Sequence, residues 1–459
     1  MDGSAHNFLE TASWSGMIYS GGWAAASGGA TDILAPADGS VIERIGKPTP
    51  ADVFKASAAA AAAQPAWEAT PPHQRAAILN KAADILEANG EELMPWIIRE
   101  SGSIPPKAGI EIEHSAGFLR AAAVAAVEPA GRIIPSLDGR HEELLRVAHG
   151  VVGVISPFNF PLILSIRAIA AALATGNAVV HKPDPRTPIT GGVIIARIFE
   201  EAGLPENLLH IIPGGGDVGA AMCEDPNIAM VSFTGMDDAD FDAAASNAAW
   251  GAWLHQGQIC MATGLILAPS AMADKLAEAL TVKAGHLPVG DPTNEQCALG
   301  PLISGQEASR INGIVNEAVA KGATLHIGGK ANGTMFPATV LSGVKPGMRA
   351  FEEEIFGPVA VVVGYDNDDH AVELANMSEF GLAAGIIAKD TGRARALGDK
   401  LKVGHLHIND QTVAASPYAP FGGRGRSGNG SRISGPAIWE EFSQWVWVTS
   451  RQEAVVYPF

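Results

Sequence analysis

The chain has 459 residues, 47% of them hydrophobic, which exceeds one ordinary core and predicts a globular protein of two or more packed units. Its 49 acidic residues outweigh 31 basic ones, a net charge of −18, so no basic surplus exists to neutralise phosphates; nucleic acid and membrane are excluded as partners, and small-molecule chemistry is expected. Three cysteines, Cys223, Cys260 and Cys297, cannot make a disulfide framework and fit a reducing compartment, so each thiol is expected to be free.

The N-terminal "MDGSAHNFLETASWSG" has neither a basic n-region nor an apolar h-region. The later run "AIAAALATGNAVV" is too short and too interrupted to span a bilayer, and a cytoplasmic location is expected. From Ala51 onward Ala, Leu, Glu and Lys dominate, Pro71 and Pro72 break the run, and Ile78, Ala82, Ile85 and Leu86 recur at helical spacing, which predicts a succession of helices. Two apolar runs flank a turn signal at Asp138 and Gly139, predicting a hairpin. Then "VVGVISP", "AVVHKP", "LLHIIPG" and "AMVSFTG" alternate with segments of helical length, the pattern of βαβ units around a parallel sheet. A second alternating region follows Cys260, with strand-like "GLILAP", "PATVLSGV", "PVAVVVGY", "AGIIAK" and "HLHIN". Cys260 therefore falls near the junction of two α/β units, where clefts form. The tail "WEEFSQWVWVTSRQEAVVYPF" predicts a terminal strand with no obvious partner within one subunit.

Within this frame a few residue groups could carry chemistry. Gly214, Gly216 and Gly219 form a GxGxxG between a strand and a helix, compatible with a dinucleotide at a helix N-terminus and equally with a tight turn. "ISPFNFP" places Asn159 at a strand end, where its amide could donate to an oxyanion or satisfy a turn. Lys182 in "HKPDPRTP" could hold a ribose or phosphate or be a solvated lysine, and Glu352, Glu353 and Glu354 in "FEEEIFGPV" would ordinarily be a solvated face. Cys260, in "HQGQICMATG", is the stronger candidate: small polar neighbours leave a thiol approachable, whereas Cys223 and Cys297 look structural. Neither CxxC nor a His/Cys spacing suited to zinc occurs, so no metal is expected.

In order, "SPFNFP", "KPDPRTP", "PGGGDVG", "SFTG", "GQIC", "EEEIFGPV", "HIND" and "APFGGRGRSGNG" resemble the aldehyde dehydrogenase superfamily, and "LSIRAIA", "HKPDPRTP" and "SGNGSRISGPAIWEEFSQW" resemble most its aromatic-aldehyde branch, the benzaldehyde and vanillin dehydrogenases. The resemblance implies an α/β fold. A Rossmann-like cofactor-binding domain would take residues 1–128 and 150–235, an α/β catalytic domain 236–435, and a β oligomerisation flap 129–149 and 436–459, assembling a homodimer or homotetramer. It implies oxidation of an apolar aldehyde by NAD, with Cys260 as nucleophile and Asn159 and the Cys260 backbone N–H holding the oxyanion. Lys182 and Asp184 would serve the adenosine ribose, Glu354 the nicotinamide ribose, and Phe356, Ile155, Pro157, Phe158, Gly214, Gly219, Phe233 and Gly235 the cofactor's path. Phe160, Leu164, Trp253, Ile259, Met261 and Tyr418 would line the substrate tunnel.

Two departures matter. Pro185 stands where NAD-preferring members often carry a glutamate, which leaves NADP open. More seriously, Gly235 runs directly into "MDDADFDAAASNAAWGAWLHQGQIC": about thirty residues that the family order places there are absent, and with them the glutamate that serves as general base. His255 is a poor substitute, because five helical residues would turn it about 140° from Cys260. Two other readings stay open here: a degenerate member acting as a subunit or scaffold, and a cofactor-free thioester or ester hydrolase built on Cys260.

Overall fold

The computed structural model describes residues 8–136, 140–225, 242–294 and 296–456; the expected strand "AMVSFTG", with Phe233 and Gly235, and the turn at Asp138 and Gly139 lie outside them. Strands β1 (Met17–Ser20) and β2 (Trp23–Ala25) form a hairpin about the left-handed Gly21 and Gly22, and β3 (Ala30–Leu34) pairs antiparallel with β4 (Val41–Gly46). The expected helices follow: α1 (Pro50–Glu68), α2 (Pro72–Ala88), α3 (Gly90–Ser101) and α4 (Pro105–Ala126). Pro50, Pro72 and Pro105 stand at helix starts, where a missing N–H costs no hydrogen bond, and the Asp52 carboxylate accepts the Thr49 N–H at 2.8 Å to close the first turn of α1.

After the antiparallel pair β5 (Gly131–Ile133) and β6 (His141–Ala148) comes the expected alternation: β7 (Val151–Ile155), α5 (Pro161–Ala174), β8 (Ala178–Lys182), α6 (Ile194–Ala202), β9 (Leu209–Ile211) and α7 (Gly216–Glu224). Strands β7, β8 and β9 pair in parallel, and β1 and β2 extend the sheet antiparallel in the order β2-β1-β9-β8-β7. All of β8 and four of the five residues of β7 are buried, as parallel strands packed by helices must be.

The chain resumes in α8 (Asp242–Trp253), β10 (Ile266–Pro269), α9 (Ser270–Ala284), α10 (Gly305–Ala320), β11 (Thr324–Ile327), β12 (Thr339–Ser342), α11 (Arg349–Glu352) and β13 (Val359–Tyr365). These strands make a second sheet, β10-β13-β12-β11, parallel except for β11. Beyond it lie α12 (Asp368–Met377), β14 (Phe380–Gly381), β15 (Ala383–Ile386), α13 (Thr391–Gly398), β16 (His405–Ile408), β17 (Arg424–Gly425), α14 (Ala437–Glu441) and β18 (Ser443–Ser450). The terminal strand does have a partner in its own subunit, contrary to the expectation from the tail alone: β18 pairs with β6 from Ser443 opposite Ala148 to Ser450 opposite His141. Among the described residues no helix is long and apolar enough to cross a membrane.

One buried ion pair fixes the element that carries most of the site. Lys107 and Glu111, one turn apart on α4 and 1% and 0% exposed, meet at 2.5 Å. The other Glu111 oxygen accepts the Leu162 N–H at 2.9 Å and the Ile163 N–H at 3.4 Å, so the carboxylate caps the first turn of α5. Removing one partner of such a pair strands a buried charge. Lys107→Met is expected to lower stability by about 3–5 kcal/mol, and Lys107→Met/Glu111→Gln to regain part of the loss, in urea unfolding followed by circular dichroism.

Candidate active site

Cys260 lies just past α8, beyond a short turn, Leu254–Gly257, in which His255, Gln256 and Gly257 take left-handed φ values of 49°, 55° and 66°. Glycine is required at the last of these, since a Cβ on Gly257 would lie 2.2 Å from the Gly357 carbonyl oxygen. That close approach brings the cysteine loop against the loop of Glu354 and Phe356. Side chains strap the turn in place: Gln256 Nε2 donates to the Pro301 carbonyl at 3.0 Å, and Gln258 Oε1 accepts the Ile303 N–H at 3.0 Å. Because the turn is not a regular helix, the angular argument against His255 does not apply. What removes His255 is burial: it is 0% exposed, edge-on to Phe160 at 5.6 Å, and desolvation together with nearby Lys107 holds its pKa well below the ordinary value.

Cys260 opens into a cavity of about 280 Å³ that it shares with Asn159, Leu164, Arg167, Glu354 and Phe356, with Ile155 and Pro157 at the β7 end. Asn159 is 1% exposed, and among the described residues neither its side-chain oxygen nor its nitrogen has a hydrogen-bond partner. A buried amide left unsatisfied is rare in a resting protein and ready for an incoming oxygen. Burial pushes the Cys260 thiol up to about 11; Arg167 pulls it down and Glu354 pushes it further up. Burial likewise raises the Glu354 carboxyl, with Arg310 opposing. The thiol is therefore overwhelmingly protonated at neutral pH.

Arg167 was not anticipated. It is 6% exposed on α5, its Nε has no partner among the described residues, its guanidinium lies 4.1 Å over the Phe421 ring, and it makes no ion pair with any described residue. Burial pulls its pKa down to about 10, with Cys260 opposing. One signal was available in the sequence, a lone cation inside the otherwise apolar run "PLILSIRAIAAALA".

The cofactor candidates gather beyond the carboxyl ends of β7, β8 and β9, where open α/β sheets bind ligands. Lys182, at the end of β8, donates from Nζ to the Gly214 carbonyl at 2.7 Å. A Cβ on Gly214 would meet Val218 at 2.4 Å, so this glycine permits tight packing of the loop on α7. Gly219, in the first turns of α7, faces Lys182 and Ile155, and an added Cβ would stand 3.5 Å and 3.9 Å from their side chains. Both Asp184 oxygens are taken by Arg186 at 2.8 Å, and Arg186 lies 4.2 Å from the Phe158 ring, itself edge-on to Phe356 at 5.9 Å. Phe158 thus bridges this cleft to the Cys260 cavity.

Five expected tunnel residues lie elsewhere. Phe160 is wedged between Lys107, 4.5 Å from its ring, and His255. Trp253 is buried and, with Lys107, lines a separate cavity of about 750 Å³ beside α4, α8 and α9. Ile259 and Met261 are buried in the core on either side of Cys260, while Tyr418 is 70% exposed. Motif position locates a backbone, but the irregular turn before Cys260 and the turn at Ser416, whose hydroxyl accepts the Tyr418 N–H, decide where those side chains point. Phe380, Ser427 and Ile433 line the cavity instead. Among the described residues no group of three or more His, Cys, Asp or Glu could hold a metal ion.

Comparison with known proteins identifies the family. The profile of the "Aldehyde dehydrogenase family" matches residues 23–237 and 236–448, in two segments that meet where the expected stretch is absent. The chain is 45% identical to a vanillin dehydrogenase of an Amycolatopsis species, covering 99% of this chain and all of the relative; the alignment spans 485 positions, 26 more than the chain has residues. It is 41% identical to a benzaldehyde dehydrogenase [NAD(+)] of Pseudomonas putida, over 97% of this chain and 98% of the relative. Among solved structures, a salicylaldehyde dehydrogenase of Pseudomonas putida G7 complexed with salicylaldehyde superposes with a TM-score of 0.91 at 32% identity, covering 96% of this chain and 99% of that one. The chain belongs to the aldehyde dehydrogenase family.

Proposed function

We propose that the chain oxidises an apolar, aromatic aldehyde to the carboxylic acid with a nicotinamide dinucleotide, NAD by preference of its named relative and NADP not opposed by any residue at Pro185. The observation that carries this is the sharing of one apolar cavity by Cys260 and the unpartnered Asn159 amide. Relatives named for vanillin, benzaldehyde and salicylaldehyde supply the substrate class. Leu164, Phe356, Phe380 and Ile433 offer flat apolar walls of the kind an aromatic ring fills.

On this reading the Cys260 sulfur attacks the aldehyde carbon, and the carbonyl oxygen, now an anion, takes hydrogen bonds from Asn159 Nδ2 and the Cys260 N–H. A dinucleotide bound beyond β7, β8 and β9 supplies the hydride acceptor. The Gly214–Gly219 loop and the α7 N-terminus suit its pyrophosphate, Lys182 and Asp184 its adenosine ribose, and Glu354 and Phe356 its nicotinamide end. Ile155, Pro157 and Phe158 line the way between. The thioester left on Cys260 is then hydrolysed. Residues 1–128 and 150–235 would form the cofactor-binding unit, 236–435 the catalytic unit, and 129–149 with 436–459 the surface through which two or four copies assemble. Supporting the last point, β18 is an edge strand that leaves Trp445, Val446 and Trp447 45%, 39% and 59% exposed.

Three outcomes are expected. With the relatives' stretch restored after Gly235, the enzyme should show a higher kcat/KM for benzaldehyde than for short aliphatic or charged aldehydes; the reverse order would sink the aromatic assignment. Static light scattering at micromolar concentration should give a dimer or tetramer, and a monomeric mass would refute the assembly. The chain as it stands should turn over benzaldehyde about 10² to 10⁴ times more slowly than the restored chain, with Cys260→Ala as the blank, because among the described residues no carboxylate is placed to accept the thiol proton and activate water. Equal rates would show that a group inside the present cavity serves as base.

A further inference from the structure

We propose that the Arg167 guanidinium is the counter-ion of the Cys260 thiolate, so that a fixed cation in the cavity, rather than a carboxylate base, sustains the nucleophile in this chain. The inference rests on the reading of Cys260 as nucleophile. Arg167 is 6% exposed, has no ion pair among the described residues and leaves its buried Nε without a hydrogen bond, a costly state for a guanidinium unless an anion is due to arrive. Among the described residues, the other charged or titratable groups around the cavity are committed, uncharged or, for Glu354, of the wrong sign. Arg426, at the rim, is paired with Glu379 at 2.7 Å. Lys107 is bound to Glu111 behind Phe160. His255 and His405 are held neutral by burial, His405 lying beyond the Phe421 ring, with its pKa down at about 4. Glu354 shares the cavity but makes no ion pair with Arg167, and its charge opposes ionisation of the thiol. Cys260 and Arg167 are thus left in one cavity, each favouring the charged form of the other.

The chemistry balances without a protein base. The Cys260 S–H releases its proton to solvent water at the cavity mouth, and the thiolate remains beside the guanidinium. When the sulfur pair forms the S–C bond to an aldehyde, the carbonyl π pair moves to oxygen. Negative charge passes from sulfur to that oxygen, within the field of Arg167 and onto the Asn159 amide.

The test needs no turnover. Alkylation of Cys260 by iodoacetamide, read on its own peptide by mass spectrometry so that exposed Cys223 does not contribute, would be followed from about pH 6 to pH 11 in the cofactor-free chain and in Arg167→Lys and Arg167→Met. Because burial sets the Cys260 midpoint at about 11, at the top of this range, the rate is read on its rising limb: Arg167→Met should alkylate about tenfold more slowly at each pH below that midpoint, and Arg167→Lys should stay close to the parent. If circular dichroism shows that Arg167→Met does not fold, Arg167→Gln, uncharged and still able to hydrogen-bond, replaces it. An unchanged rate in Arg167→Met, or a loss in Arg167→Lys equal to that in Arg167→Met, would make Arg167 a packing residue and overturn the proposal. A parent Cys260 inert at all pH values would overturn the nucleophile reading itself, a result distinct from either.

Discussion

The Glu111 carboxylate at the first turn of α5 is the contact on which the site depends. A helix start presents N–H groups without partners, and a buried start needs an acceptor. Here that acceptor is a carboxylate, which the positive end of the helix dipole also favours, and burying it calls for a cation that Lys107 provides from the preceding turn of α4. Lys107 lies in turn over Phe160, the residue between Asn159 and α5. Asn159, Leu164 and Arg167 are therefore held relative to α4 by contacts wholly within the described core. None of these contacts passes through the stretch absent after Gly235.

That separation explains how a chain without its expected base can still present a formed cavity. Side-chain straps at Gln256 and Gln258, and the approach of Gly257 to Gly357, hold the cysteine loop without the missing segment. What the segment would add, on the family resemblance, is contacts to the cofactor's pyrophosphate, a strand between the two units and a carboxylate. A carboxylate in hydrogen-bond reach of a thiol or a water accepts its proton, whereas one sharing the cavity without such contact only repels the thiolate. Glu354 acts in the second way. Among the described residues, burial and the Glu354 carboxylate disfavour the Cys260 thiolate, and the Arg167 guanidinium and the backbone of Cys260 and Met261 favour it.

Much of this was legible in the sequence, for reasons specific to each element. Apolar runs bounded by Gly and Pro marked β7, β8 and β9, because strands buried on both faces have no room for polar alternation. Cys260 stood out by its small polar neighbours, and Asn159 by the two prolines about it. Side-chain direction was not legible. Trp253 and Tyr418 follow the family order yet face another cavity and the solvent, since left-handed residues at His255 and Gln256 and a local turn at Ser416 set their orientation. Arg167 escaped notice because a cation in an apolar run resembles a helix-surface residue until the packing of Phe421 against it is known. The in-chain partner of β18 was invisible for a related reason: Ser443 and Ala148 are neighbours in space but lie almost three hundred residues apart along the chain.

The same long-range pairing separates assembly from catalysis. Strand β18 contributes hydrogen bonds to β6 but almost no core, its residues after Ser443 all being exposed. Its tryptophans are instead held by cations of the hairpin, with the Arg146 and Arg132 guanidinium groups 4.4 Å and 5.3 Å from the Trp445 ring and that of Arg140 6.0 Å from Trp447. Such contacts order an exposed aromatic surface without filling it, as the proposed assembly through this sheet requires. Because the sheet is built from residues 131–148 and 443–450 alone, it is independent of the break after Gly235. Loss of the base and loss of assembly are therefore physically distinct failures in this chain.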